Sequence, residues 1–233
     1  MMPTSKCFAL VAVFLVLTGC ARTYQARHVE TTNFLDDYSL LKEGEEDDAL
    51  LSYWKKGVNW ATYKKIILEP VIIKKTPNSD LNEMTHADGY RLKELLDYRM
   101  QEALKKGFKL VNKPGADTLL VQFAITDVET STVLLDMFSS VYPSARTLSA
   151  LKHMVTGTES FVGKASIEGK IIDSTTGDLL MASADTRAGG KTLAGSTYEW
   201  GDIEESYKYW AIQVSYQLCL RQGRVDCKKP ESE

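Results

Sequence analysis

The sequence of 233 residues has few of the residue types that metal and acid–base sites need. It contains only three histidines, His28, His86 and His153, and their wide spacing forms no H-x-x-x-H or H-E-x-x-H pattern. Zinc sites of the protease type place two histidines four residues apart on a helix, so the pattern for this class is missing. A G-x-S-x-G motif, which would mark a serine nucleophile, is also missing. We therefore expect no metal, no cofactor and no catalytic residue.

The sequence also has no excess of basic over acidic residues. The chain has 28 lysines and arginines against 31 aspartates and glutamates, which gives a formal net charge of −3 at pH 7. Proteins that bind nucleic acid present a basic face to the phosphates. The charge balance thus argues against a nucleic-acid partner, and no Lys/Arg cluster is present to hold anionic lipid.

Long apolar runs are rare, and the one at the N-terminus is short. Cys7–Leu17 is apolar throughout, but its length of about 11 residues is well below the roughly 20 that a helix needs to cross a bilayer. Lys6 stands in front of it, and small residues follow. This arrangement predicts a signal peptide over residues 1–19.

The end of that run carries a more specific motif. Leu17-Thr18-Gly19-Cys20 resembles the lipobox of bacterial lipoprotein precursors, which implies cleavage before Cys20 and acylation of this cysteine. Two acyl chains already give stable anchoring, so the resemblance implies a permanent membrane partner. Ala21 follows the cysteine instead of an aspartate, which by the same resemblance favours the outer membrane, with the protein facing the periplasm. The alternative is an ordinary secretory signal with an incidental cysteine.

Only two cysteines then remain in the body of the protein, Cys219 and Cys227. An even pair in an oxidising compartment predicts a disulfide between them. The alternative is a metal site, which would need further ligands that no nearby histidine supplies.

The rest of the chain predicts a polar tether over residues 20–33, lipidated at its start, and a single periplasmic α+β domain over residues 34–233. Tyr63–Lys74 is rich in β-branched residues and predicts a strand, with Pro70 placing it at an edge or marking a bulge. Apolar residues recur at helical spacing in two segments, 85–106 and 202–222. Gly107 and Gly223 are predicted to end these helices, and Asp202 with Glu205 to form a capping box.

Between the helices, apolar residues alternate at period two in 116–129, which predicts a half-buried strand. A looser segment, 130–158, predicts an insert with one short helix. Two further strands surround the turn Asp173–Gly177 and predict a β-hairpin. The fold class is therefore a two-layer α+β sandwich, with a small mixed or antiparallel sheet and two main amphipathic helices.

One stretch imitates a nucleotide-binding loop. Gly190-Lys191-Thr192 follows a predicted strand, but the loop requires a glycine five residues before Gly190, where Asp185 stands. A carboxylate there would repel phosphates, so we expect no nucleotide. Asp185 and Arg187 are instead expected on one face of a strand, followed by a glycine-rich connector.

Aromatic residues cluster before the first predicted strand of the body and around the last helix. Trp54, Trp60, Trp200 and Tyr209 are candidates for a binding surface, because aromatic residues are enriched at interfaces. The alternative is that they pack the terminal segments together in the core.

Several quoted segments together resemble a known family. The segments FLDDYSLL, YKKIILEPV, KPGADTLLVQFAITDVE, FVGKASIEGKIIDSTTGDLLMASADTRAGG and WGDIEESYKYWA resemble, in this order, an uncharacterised family of bacterial lipoproteins, domain of unknown function 3313. The resemblance implies an exported, lipid-anchored protein and no particular reaction. We expect a non-enzymatic binding or structural module whose partner is an envelope protein or a cell-wall polymer. The alternatives are a cell-wall hydrolase that uses Asp36, Asp173 or Asp185, and a carrier of lipids or small molecules.

Overall fold

The computed structural model describes residues 23–129, 163–189 and 200–231, with the exception of 27, 46 and 78. Cys20, the predicted signal peptide, the insert 130–158 and the stretch 190–196 lie outside the described residues.

Within the described residues, the predicted strands and helices occur in the predicted order, together with four short strands that the sequence analysis did not predict. Two helices occur there, α1 (His86–Leu104) and α2 (Gly201–Arg221). The strands are β1 (Thr23–Gln25), β2 (Lys42–Glu43), β3 (Leu51–Trp54), β4 (Lys65–Leu68), β5 (Ile72–Ile73), β6 (Lys109–Leu110), β7 (Thr118–Glu129), β8 (Lys164–Asp173) and β9 (Leu179–Gly189).

All nine strands of the described part form one mixed sheet. Its path is β2-β3-β9-β8-β7-β4-β6, with β1 paired to β9 and β5 paired to β7. The centre is the antiparallel meander β7-β8-β9, whereas β4, β5 and β6 pair in parallel. The prediction of an α+β sandwich with a mixed sheet is confirmed.

The two helices cover one face of the sheet, and the main core lies between the helices and that face. Leu119, Val121, Phe123 and Ile125 all point into it at period two and are at most 3% exposed. Fully burying such a side chain contributes roughly 1.5–3 kcal/mol, so this face of β7 is a strong determinant of the fold.

Helix α1 is capped at its start as its sequence suggests, but it ends differently. The Thr85 side chain accepts a hydrogen bond from Asp88 N, and the predicted stripe places Leu96 and Met100 in the core. Gly107 does not adopt a left-handed conformation, so that part of the prediction is wrong. A Cβ at Gly107 would lie 2.7 Å from Arg224 Nη1, so a larger residue there would have to displace the end of the Arg224 side chain.

Helix α2 begins without the predicted capping box. Its first residue follows Trp200, which makes no side-chain capping bond. Asp202 instead accepts a hydrogen bond from Gly163 N at 2.9 Å and joins the helix to the chain entering β8. Gly223 does end the helix in a left-handed conformation, with φ of 73°.

Pro70 interrupts the predicted strand Tyr63–Lys74. The chain forms two short strands, β4 before the proline and β5 after it, and both pair with β7. Proline has no N–H to donate to a ladder, which explains the break.

The second face of the sheet is covered by the N-terminal segment. Phe34 and Leu35 pack there against Ala124 and Ala182, and Val29 is 5% exposed. The segment 20–33 that was predicted as a tether contains β1, so Thr23–Gln25 belongs to the sheet, and Thr32 N donates to Glu168 of β8 at 2.8 Å. Thr126 of β7 is also fully buried.

Candidate functional site

A groove lies where the C-terminal ends of the two helices meet the tail of the chain. Its volume is about 190 Å³. We call it the C-terminal groove. It is lined by Ala103 in the last turn of α1, by Lys106 and Gly107 after that helix, by Ile212, Ser215, Tyr216 and Cys219 on α2, and by Arg224, Asp226 and Lys228 in the tail.

Covalent and backbone constraints fix the walls of this groove. The predicted disulfide is present between Cys219 and Cys227. Arg224 N donates to Cys219 O at 3.2 Å, so the tail turns back onto α2 directly after Gly223. On the opposite wall, the Ser215 hydroxyl donates to the Ala103 carbonyl at 3.3 Å. The disulfide therefore holds the tail, with Arg224 and Lys228, beside the helix pair.

The charges of the C-terminal groove are mainly positive. Arg224 donates to Asp226 at 3.3 Å, and this hydrogen bond lowers the pKa of the Asp226 carboxyl. Lys106 and Lys228 are exposed and form no ion pair with an acid of the described chain. Two ammonium groups thus remain available at the rim for an anionic ligand.

The predicted aromatic surface is divided between two places. Trp54 and Trp60 are in edge contact, with ring centroids 5.5 Å apart, and the Arg221 guanidinium lies 3.7 Å from the centroid of Trp54. Tyr209 lies instead under the guanidinium of Arg187, at 3.5 Å.

Burial limits what these aromatic residues can contact. Trp60, Trp200 and Tyr209 are at most 9% exposed, whereas Trp54 is half-buried. Three of the four predicted residues therefore serve the core, as the alternative interpretation expected. A binding surface that includes these four residues remains a prediction. A partner would have to contact it through Trp54, which is the half-buried residue of the four.

Asp185 is the most buried acid on the helix-facing side of the sheet. It is 1% exposed and accepts three hydrogen bonds, from Trp210 Nε1 at 2.7 Å, from Gln25 Nε2 at 2.9 Å and from Leu50 N at 3.0 Å. Burial raises the pKa of its carboxyl, although these bonds and Arg187 act in the opposite direction. The carboxylate thus joins α2, the N-terminal segment and the start of β3.

A small cavity adjoins this carboxylate. Its volume is about 30 Å³, and its lining includes Trp54, Ser183, Asp185 and Trp210. A water molecule needs about 10–15 Å³ measured in this way, so the space suits one or two waters. It is too small for an acyl chain, and this cavity does not support the carrier alternative.

The three acids considered for hydrolysis do not converge. Asp185 faces the helices, whereas Asp36 lies on the opposite face, 3.6 Å from Lys170. Asp173 is at the hairpin turn, where burial by itself would raise its pKa. Hydrogen bonds from Tyr63, Thr175 and Thr176 outweigh burial and hold the pKa of Asp173 well below its usual range. Because the three acids lie at separate places, no two of them can act together as acid and base on the same bond.

A second buried acid, Glu168, was missed by the sequence reasoning. Its carboxylate accepts hydrogen bonds from the Tyr38 hydroxyl at 2.6 Å and from Thr32 N at 2.8 Å. The Tyr38 hydroxyl in turn accepts from Phe34 N at 3.1 Å. The signal was available, because Tyr38 and Glu168 belong to two of the segments that carry the family resemblance.

Neither metal clusters nor membrane spans appear in the described ranges. No group of three or more His, Cys, Asp or Glu side chains there could hold a metal ion. Likewise, none of the helices in these ranges has the length and apolar character needed to cross a bilayer.

The similarity to known proteins agrees with these observations. A family model described as a protein of unknown function, DUF3313, matches residues 30–214. The chain belongs to this family. It is also 29% identical over 177 residues to the uncharacterized lipoprotein YdcL of Escherichia coli K12, which covers 72% of this chain and 77% of that protein. These matches support a lipoprotein of unknown function that is membrane-anchored in the envelope.

Solved structures show only remote similarity. The PelC dodecamer from Paraburkholderia phytofirmans is 9% identical, with a TM-score of 0.38, over 75% of this chain and 98% of that chain. Protein XCC0632 from Xanthomonas campestris is 8% identical, with a TM-score of 0.41, over 69% of this chain and 86% of that chain. Scores of this size carry no conclusion about function or assembly.

Proposed function

We propose that the protein is an outer-membrane-anchored lipoprotein that faces the periplasm and binds an envelope partner without catalysing a reaction. The lipobox ending at Cys20 and the following Ala21 support this location. The disulfide between Cys219 and Cys227 is what an oxidising compartment favours.

The C-terminal groove is the observation that carries the binding role. It combines a concave surface of about 190 Å³ with three cationic side chains and a single acid. Electrostatic complementarity mainly sets specificity and association rate, so this surface favours an anionic partner. A carboxylate-rich polymer of the cell wall is the partner that fits it.

Two properties of the acids support a non-enzymatic role. Asp185 and Glu168 are buried by the sheet and its covers, where their oxygens already accept hydrogen bonds from neighbouring segments. Asp173 holds the turn of the hairpin. Each acid thereby has a structural task at a separate place.

Co-sedimentation with isolated cell-wall polymer tests this function. The lipidated full chain in detergent should pellet with the polymer, and the double variant Lys106→Glu/Lys228→Glu should bind about tenfold more weakly or worse, because both charges at the rim change sign. Lys113→Glu makes a charge reversal of the same kind at an exposed residue outside the groove, so it should bind like the wild type. Binding should also weaken at high salt, because exposed charges are screened.

Two results would contradict the proposal. Equal binding by the double variant and the wild type would exclude the groove. No binding to the polymer, together with specific crosslinking to an envelope protein in intact cells, would replace the polymer by a protein partner.

A further inference from the structure

The N-terminal segment is already attached to the body of the protein at Thr23, three residues after Cys20, and so it does not form a long free tether. Thr23–Gln25 pairs with β9 in the register Thr23↔Gly189 to Gln25↔Arg187. The ladder is extended by a hydrogen bond from Ala26 N to Thr186 O at 2.8 Å. The Gln25 side chain adds its bond to Asp185.

Further contacts hold the segment that follows. Val29 is 5% exposed, and Thr32 N donates to the buried carboxylate of Glu168. Releasing this segment would therefore expose apolar surface and leave Glu168 without one of its donors. The attachment is a stable part of the fold.

Chain geometry then limits the distance between the body and the anchor. Consecutive Cα atoms are about 3.8 Å apart, so the Cα atoms of Cys20 and Thr23 are at most about 11 Å apart in any conformation. A flexible tether over the whole of 21–33 would have a root-mean-square length of about 20 Å and would let the body rotate freely.

The pairing of Thr23–Gln25 also determines which end of the sheet lies nearest to Cys20. Thr23 pairs with Gly189, the last residue of β9, and the neighbouring Ala188 pairs with Lys164, the first residue of β8. Gly163 is bonded to Asp202 in the first turn of α2. We call this the anchor end: the end of the sheet that contains Thr23, Glu129, Lys164 and Gly189, together with the start of α2.

The opposite end lies a full strand length away. The hairpin turn Ser174–Asp178 precedes Leu179, and β9 runs from there to Gly189, a distance of about 33 Å at 3.3 Å per residue. Helix α2 runs from the anchor end towards that turn, because its last residue, Arg221, stacks on Trp54, which pairs with Met181 near the start of β9.

The described charges at the anchor end are already paired with one another. Lys164 Nζ lies 3.0 Å from a carboxylate oxygen of Glu129 and 3.2 Å from one of Asp127. One cation between two acids offers no attraction to anionic lipid headgroups. The acyl chains on Cys20 would thus be the force that holds this end at the bilayer.

We propose that the anchor end faces the lipid bilayer at short range, and that the hairpin turn and the C-terminal groove point away from it. This orientation rests on the proposed acylation of Cys20. It places the groove about 17–30 Å from the anchor end, because its α2 residues Ile212–Cys219 lie in the second half of the helix. The groove is then presented to partners beyond the membrane surface.

Photocrosslinking to lipid tests the orientation. The full chain is produced in cells with a benzophenone amino acid at Glu205, near the start of α2, or at Thr175, in the exposed hairpin turn. After reconstitution into phospholipid vesicles, lipid adducts should form at position 205 and stay at background at position 175. Equal labelling at both positions would overturn the proposal.

Neutron reflectometry on supported bilayers measures the spacing. The wild type should show a water gap of less than about 15 Å between headgroups and protein, as the reach from Cys20 to Thr23 requires. A flexible insert of about 20 Gly/Ser residues between Arg22 and Thr23 should widen the gap by about 25 Å. A wild-type gap as wide as that of the insert variant would refute the short attachment.

Mass spectrometry of the N-terminal peptide separates the two proposals. If Cys20 carries no acyl group, the proposed anchoring fails, and the orientation fails with it. If Cys20 is acylated but the crosslinks or the gap disagree, the anchoring stands and only the orientation is wrong.

Discussion

Replacing the buried carboxylate of Asp185 by an amide should destabilise the protein, although aspartate and asparagine have nearly the same shape. The two carboxylate oxygens accept from Trp210 Nε1, Gln25 Nε2 and Leu50 N. Asparagine retains only one acceptor oxygen, so its NH₂ group must face one of these donors.

The magnitude follows from the bonds that are lost. The NH₂ group of asparagine leaves one buried donor without an acceptor, and such a donor costs about 1–3 kcal/mol. We expect Asp185→Asn to lower the free energy of unfolding by about 1–2 kcal/mol near pH ~4, and by less at neutral pH, because burial raises the pKa of the Asp185 carboxyl and disfavours its ionised form. Asp185→Ala leaves all three donors without a partner and should cost about 3–5 kcal/mol.

Urea unfolding of the oxidised protein measures both values. Asp178→Asn is the matched control, because Asp178 is exposed and forms only a surface ion pair with Lys55; it should cost less than about 1 kcal/mol. In a Trp210→Phe background the indole donor is absent, so the cost of Asp185→Asn should shrink. An unchanged cost in that background, or an asparagine variant as stable as the wild type, would refute the network.

The pH dependence of the free energy of unfolding tests the direction of the pKa shift of Asp185. Burial raises the pKa of Asp185 in the folded state, so the folded protein binds a proton more readily than the unfolded chain. The contribution to stability is largest below the unfolded pKa of about 3.9 and falls as pH rises through the folded pKa. The stability of the wild type relative to Asp185→Asn should therefore decrease as pH rises through that window, and an increase would contradict the sign.

Three further outcomes are expected. Cys20→Ser should move the protein from the membrane fraction to the soluble fraction, and unchanged fractionation would refute the lipidation. Tyr38→Phe removes a donor from the buried carboxylate of Glu168 and should cost about 1–3 kcal/mol, which lowers the melting temperature by about 2–12 °C; a variant as stable as the wild type would show that the hydroxyl is not needed. Replacing Cys219 and Cys227 by serine opens a loop with a sequence separation of 8 and should cost about 2–3 kcal/mol in urea unfolding, whereas free thiols at both positions in the wild type would contradict the bond.

Much of the fold could be predicted because it depends on local patterns. The spacing of Leu96 and Met100 fixes the buried face of α1, and the alternation of Leu119 and Val121 fixes that of β7. The turn before β9 contains Gly177, whose φ of 76° lies in the left-handed region that favours glycine. Each of these signals is contained within one element.

Predictions that depend on a distant segment were less successful. Asp202 has the spacing of a capping residue, but its side chain binds Gly163, almost forty positions earlier in the sequence. Glu168 alternates with apolar residues and looks solvent-facing until the loop that contains Tyr38 covers it. The C-terminal groove depends in the same way on where the tail folds back onto the helix pair.

The sequence by itself predicted the lipobox-like motif at Cys20, and it determined the periodicity of the helices and strands and the pair of cysteines available for a disulfide. Only the tertiary structure decided that Asp185 and Glu168 are buried, that the segment after Cys20 joins the sheet, and that basic side chains meet in one groove. The reason is physical: an element's own periodicity selects its buried face. The surroundings of a polar side chain on that element depend on which remote segment returns to cover it.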